Sequence, residues 1–191
     1  MLGQLRHLLT FSRSLGIARR YFVVNGFDGA LTMLGLNIGF YLSGETPLEV
    51  VISACLGATV ALGVSGITSA YISESAEREN ELRELEGAMG RDLSDTTHGQ
   101  ARRVAPVFIA LVNGLAPFSI GIMVILPLWL AMGGIPLPLP PLESAMAAAL
   151  LVLFMLGVVI GHIRGSNLLW SGVRTLLIAL LTALAIYLIN P

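Results

Sequence analysis

The stretch from Tyr21 to Leu42, YFVVNGFDGALTMLGLNIGFYL, carries one acid, no base and no proline across 22 residues. A helix of about 20 mainly apolar residues covers the hydrocarbon of a bilayer, so this stretch predicts a first membrane span. Four more blocks of the same kind follow, at residues 48–73, 104–132, 143–161 and 168–189. The composition agrees. Apolar residues make up 55% and charged residues 12% of the 191, half the roughly 25% charge of a soluble domain, and the mean hydropathy is +0.81. The sequence therefore predicts an all-α integral membrane protein with five transmembrane helices. A net charge of −1 provides no field to attract nucleic acid. The single Cys55 lies inside an apolar run and reads as a small buried hydrophobe.

The third block contains Pro106, Pro117 and Pro127. Proline removes an internal hydrogen bond and crowds the preceding turn, so one long, tilted or kinked span is expected, with two half-spans as the alternative. Orientation is set by the arginines. With five spans all eleven fall on one side: Arg6, Arg13, Arg19 and Arg20 before the first span, five between Arg78 and Arg103, and Arg164 and Arg174 around the last connection. The opposite loops, 43–49 and 133–141, have none. This predicts a cytoplasmic N-terminus. Residues 1–20, with Leu2, Leu5, Leu8, Leu9 and Phe11 interspersed with Arg6, His7 and Arg13, read as an amphipathic helix lying on an anionic leaflet, or as a frayed tail. The total absence of lysine points to a GC-rich genome, and the expected location is the plasma membrane of a prokaryote.

Asp28 is the acid of the first span. Placing a charge at the centre of a membrane helix costs about 2.5–3.5 kcal/mol on insertion scales, so a cation, a proton or a polar partner must offset it. At helical spacing Asn25, Asp28, Thr32, Gly35 and Gly39 share one polar, small-residue stripe. Such a stripe can line a pathway or a helix contact. Met33 adds a sulfur able to touch a transition metal. The second block has its own stripe of Gly57, Ala61, Ser65, Ser69 and Ser73, for which close helix packing suffices as a reason. Gly157, Gly161 and Gly165 repeat that spacing in the fourth.

Beyond Ser73 the sequence turns acidic without a break, ESAERENELRELE, and eight of the twelve acids lie between Glu74 and Asp95. The second helix should continue out of the membrane. Glu74, Glu77, Glu81 and Glu84 then fall within an arc of about 80°, beside Arg78. Carboxylate oxygens on one ridge suit divalent cations. Gly87 and Gly90 permit a turn, after which Asp92, Asp95 and His98 supply further candidate ligands. A plain solvated charged helix is the competing reading.

These residues together resemble the vacuolar iron transporter family. Gly26-Phe27-Asp28-Gly29-Ala30-Leu31-Thr32 is similar to its first-helix motif, and Ala70-Tyr71-Ile72-Ser73 followed by Glu77-Arg78-Glu79 to its second-helix exit. The resemblance implies a five-helix homodimer whose first helices face each other across a two-fold axis. Between them runs a path that carries Fe²⁺, Mn²⁺ or a similar divalent metal out of the cytosol in exchange for protons. Asp28 matches the family's membrane aspartate. Glu74, Glu77, Glu81 and Glu84 lie where the family has a carboxylate-rich cytosolic metal-binding domain. The family's second helix also carries a methionine and a glutamate on the path; Gly66 and Ala70 stand at those positions here. The segment 74–103 is short for the family's three-helix domain.

The implied function is a proton-coupled divalent metal transporter, with the metal as substrate and no organic cofactor. A second reading is a membrane scaffold or sensor with an acidic partner-binding or metal-binding helix. A third takes Gly63-Val64-Ser65-Gly66 and His162-Ile163-Arg164-Gly165 as resembling the serine–histidine dyad of rhomboid intramembrane proteases. Five spans rather than six, and His162 at a helix edge beside Arg164, weigh against it, so no enzyme is expected.

Overall fold

The computed structural model describes residues 14–189. The expected amphipathic segment at residues 1–20 lies mostly outside the described residues. Its last part, from Ser14, is helical and continuous with the helix that contains Tyr21 to Leu42. Among the described residues five α-helices occur in the order α1 (Ser14–Leu42), α2 (Leu48–Met89), α3 (Thr97–Met132), α4 (Pro141–Arg164) and α5 (Leu168–Ile189), and no strand. Four of them, α2 to α5, are long and apolar enough to cross a membrane. Helix α1 is not among these four: Asn25, Asp28 and Asn37 interrupt its apolar residues.

The helix limits have local causes. α4 opens with Pro141 at its start, where the missing N–H is not needed, and closes at Gly165 with φ +67°. There the Ser166 N–H reaches the Gly161 carbonyl at 3.0 Å and the Gly165 N–H the His162 carbonyl at 3.2 Å, the paired bonds that end a helix on a left-handed residue. α2 runs through Gly87 and stops only at Gly90, φ +64°. α3 remains one helix through all three prolines, so the half-span alternative is not what forms, and it begins at Thr97 rather than near Val104. The earlier start has a visible anchor. Asp92 Oδ1 accepts the Ser94 N–H at 2.7 Å, and the Thr96 hydroxyl donates to the Leu93 carbonyl at 2.6 Å.

The chain divides into two compact units. The first takes the start of α1 up to Phe22 together with Gly63–Leu115. Here α2 and α3 approach until their backbones touch. A Cβ on Gly66 would stand 3.0 Å from Gly114 Cα, and the buried Asn113 donates its Nδ2 to the Gly66 carbonyl at 2.7 Å. The face of α2 that packs therefore contains Gly63, Gly66 and Ala70, all buried. This corrects the expected stripe: Gly57, Ala61, Ser65, Ser69 and Ser73 are all exposed. Both rows are small-residue rows, and the packed one is the row that faces Gly114 and Asn113 of α3.

The second unit comprises Val23–Leu62 and the chain from Ala116 onward. Its core joins Met33 and Leu34 of α1, Val51, Ile52 and Cys55 of α2, Val124, Ile125 and Leu128 of α3, and Ala145, Ala149 and Leu153 of α4. Cys55 is fully buried, as its setting in the sequence suggests. α4 and α5 form a tight hairpin. A Cβ at Gly161 would lie 2.8 Å from Ser171 Cβ, and the buried Thr175 hydroxyl is shared between the Leu153 carbonyl (2.9 Å) and the Gly172 carbonyl (2.7 Å).

Candidate functional site

Asp28 is placed by the residues on either side of it. Gly26 and Gly29 are buried one helical turn apart against α3. A Cβ on Gly26 would come within 2.8 Å of Ile120 Cδ1, and one on Gly29 within 2.8 Å of Pro117 Cα. The two glycines let α1 press onto α3 and turn Asp28 to the other side. Its carboxylate is exposed, and no side chain or backbone donor among the described residues bonds to it. The Thr32 hydroxyl is used up on the Asp28 backbone carbonyl at 2.7 Å. Asn25, Thr32, Gly35 and Gly39 are half-buried beside it, and a Cβ on Gly35 would stand 3.3 Å from Ile186 Cδ1 of α5, so the stripe read from the sequence is open at Asp28 and partly covered elsewhere.

Met33 does not join that face. It is fully buried in the core, where its sulfur lies 3.7 Å from the Thr59 hydroxyl oxygen. Five residues along a helix turn the direction by about 140°, which carries Met33 away from Asp28. One turn further on, Asn37 is also fully buried: its Nδ2 donates to the Met33 carbonyl at 2.8 Å, and its Oδ1 has no partner among the described residues. Gly66 and Ala70 are not on an open face either. At Gly66, α3 fills the space a side chain would need.

The acidic extension of α2 forms as one helix with α2, but its carboxylates differ in burial and pairing. Glu74 is only 8% exposed and accepts a hydrogen bond from the Tyr21 hydroxyl of α1. Arg78 lies between it, at 4.0 Å, and Glu81, at 2.7 Å. Glu77, Glu84, Asp95 and His98 are exposed. Asp92 is occupied as an acceptor for the loop: the Ser94 N–H, helped by the Ser94 hydroxyl, holds its carboxyl below the usual value. Among the described residues no three or more His, Cys, Asp or Glu side chains come together as a metal site within one chain.

Two acids outside the predicted set carry more of the local structure. Glu79 pairs with Arg83 at 3.2 Å and with Arg102 of α3 at 2.6 Å. Glu86 accepts the Leu93 N–H at 3.0 Å. The Glu79–Arg83 pair has the i,i+4 spacing that favours such contacts and was open to sequence reading. The Arg102 contact was not, because it depends on how the turn at Gly90 returns the chain.

No protein-family profile matches the chain, and no solved structure matches it. It is 30% identical over 179 residues to the uncharacterized protein MJ0645 of Methanocaldococcus jannaschii, covering 90% of this chain and 87% of the archaeal protein. The chain belongs to the family of that archaeal protein.

Proposed function

We propose that this protein is a proton-coupled transporter that moves a divalent metal, Fe²⁺ or Mn²⁺ first among them, out of the cytosol. The observation that carries the reading is Asp28, a carboxylate exposed on the outward face of α1 with no bonding partner among the described residues. A carboxylate at that depth of a membrane helix needs a counter-group. A second copy of α1 across a two-fold axis supplies a closed, polar setting, and a cation or a proton supplies the charge. Alternate occupancy of this carboxylate by proton and metal is the coupling step.

In this reading α1 is the fifth membrane span, the N-terminus is cytoplasmic, and the protein is a homodimer through α1 in the plasma membrane of a prokaryote. The arginine distribution supports the orientation. Glu77 and Glu84, exposed on the acidic extension, are the carboxylates open to a cation there. Glu74 and Glu81 reach it only by giving up Arg78. No enzymatic activity is proposed.

The test is flux of Fe²⁺, Mn²⁺, Co²⁺, Zn²⁺ and Ca²⁺ into proteoliposomes with an imposed pH gradient. Flux of at least one metal that requires both the gradient and Asp28 is the expected result. Silence for every metal, from protein shown to be folded, sinks the proposal. The second reading, a scaffold or sensor, is favoured by one finding: most charged groups of the α2 extension are engaged with each other. It predicts that same silence.

A further inference from the structure

The α4–α5 hairpin presents two cations at the end far from its one acid, Glu143. Residues 144–191 contain no Asp or Glu, and Arg164 and Arg174 are both exposed. Neither forms an ion pair among the described residues. Arg174 instead has its guanidinium 5.8 Å from the centre of the Trp170 ring.

The packing places the two arginines near each other. Gly161 and Ser171 are in contact across the hairpin. Arg164 lies three residues beyond Gly161, and Arg174 three beyond Ser171 on the returning helix. At 1.5 Å per residue in opposite directions, their backbones are about 9 Å apart along the helices. That separation is within the combined reach of two arginine side chains, which extend toward a membrane surface while their stems stay on apolar ground.

The rest of the α5 face identifies the ligand. Trp170, Arg174, Ile178 and Leu181 recur at helical spacing on one side of α5. Trp170, Ile178 and Leu181 are 55%, 47% and 65% exposed. An arginine fork matches phosphate oxygens, and tryptophan favours the headgroup level of a bilayer. A cationic head position running into an exposed apolar stripe has the shape of an amphiphile with an anionic head.

We propose that the α4–α5 hairpin binds an anionic glycerophospholipid, its phosphate held between Arg164 and Arg174 and an acyl chain lying along Ile178 and Leu181. This site needs the chain to lie in a membrane, but it is independent of metal transport.

The test uses the purified full chain in neutral detergent, with bound lipid counted by native mass spectrometry after adding phosphatidylglycerol or phosphatidylcholine of the same acyl chains. Phosphatidylglycerol is retained in preference, inorganic phosphate does not displace it, and Arg164→Ala or Arg174→Ala each weakens retention about ten-fold, the worth of one charge-assisted contact. Arg174→Lys, which keeps the charge and loses the fork, falls between, and Arg91→Ala in the other unit has no effect. Equal retention of the two lipids overturns the proposal. So does displacement by inorganic phosphate, which marks a free-anion site, or unchanged retention in Arg164→Ala/Arg174→Ala. Should the variants fail to fold, the wild-type comparison of lipids and the phosphate competition still decide. Recovery of the chain in the membrane fraction tests the membrane setting separately.

Discussion

Asp28 faces outward because Gly26 and Gly29 have no side chains, and each of the three residues can be tested by itself. Asp28→Asn keeps the size and removes the titratable group; it abolishes proton-dependent metal flux while leaving the thermal midpoint in detergent near wild type, because no bond among the described residues is lost. Gly29→Leu acts in the opposite way. Its Cβ would stand 2.8 Å from the Pro117 backbone, so α1 and α3 must separate, and such overpacking costs about 1–3 kcal/mol, read as a lowered unfolding midpoint. Gly66→Met introduces a long side chain into the α2–α3 contact. It too is destabilising by about 1–3 kcal/mol, because its Cβ meets Gly114 Cα at 3.0 Å; a Gly66→Met variant as stable as wild type contradicts the packing described. The position of Asp28 on a polar stripe was legible in the sequence. That Gly26 and Gly29 form the opposite, packed side was not, since every glycine of α1 is equally small and only the α3 partners distinguish them.

At the scale of elements, helices were the most legible part. α2 and α5 begin at the expected Leu48 and Leu168, and α4 two residues before the expected Glu143. Periodicity and proline placement suffice for such limits. The α3 start was missed because Thr97 to Arg103 is polar, and the signals that make it helical lie in the loop before it: the Asp92–Ser94 turn and the Leu93 N–H bonded to Glu86. Asp92 has a testable pH signature. Its folded value is depressed, so its contribution is present above the ordinary carboxylate value and is lost as pH falls through the depressed one. The difference in thermal midpoint between wild type and Asp92→Ala therefore shrinks only in that acid window, and a difference that persists unchanged below it rules out the carboxylate as the cause. The Glu79–Arg102 pair, about one third exposed at both ends, is worth at most about 1 kcal/mol in a double-mutant cycle of Glu79→Ala and Arg102→Ala. The acidic ridge shows the limit of angular reading. Glu74, Glu77, Glu81 and Glu84 do share one side of α2, yet Tyr21 and Arg78 engage two of them, and neither partner is chosen by period alone.

At the scale of the whole molecule, the Asp28 carboxylate on α1, without a bonding partner among the described residues, and an exposed small-residue row on α2 are both open on the single chain. The proposed homodimer answers the first through α1. Val24 is 53% exposed one turn before Asp28, and the native Cys55 is fully buried, so a Val24→Cys chain offers one accessible thiol. Mild oxidation in membranes cross-links it into dimers through α1. Persistence of monomer alone would place the contact elsewhere. The central claim, exchange of metal for protons at Asp28, is tested most directly by following metal entry and vesicle pH together in one proteoliposome preparation. The account predicts that adding the transported metal drives protons the other way, with both signals lost in Asp28→Asn. Metal entry without proton counter-movement, or both signals intact in Asp28→Asn, would contradict it.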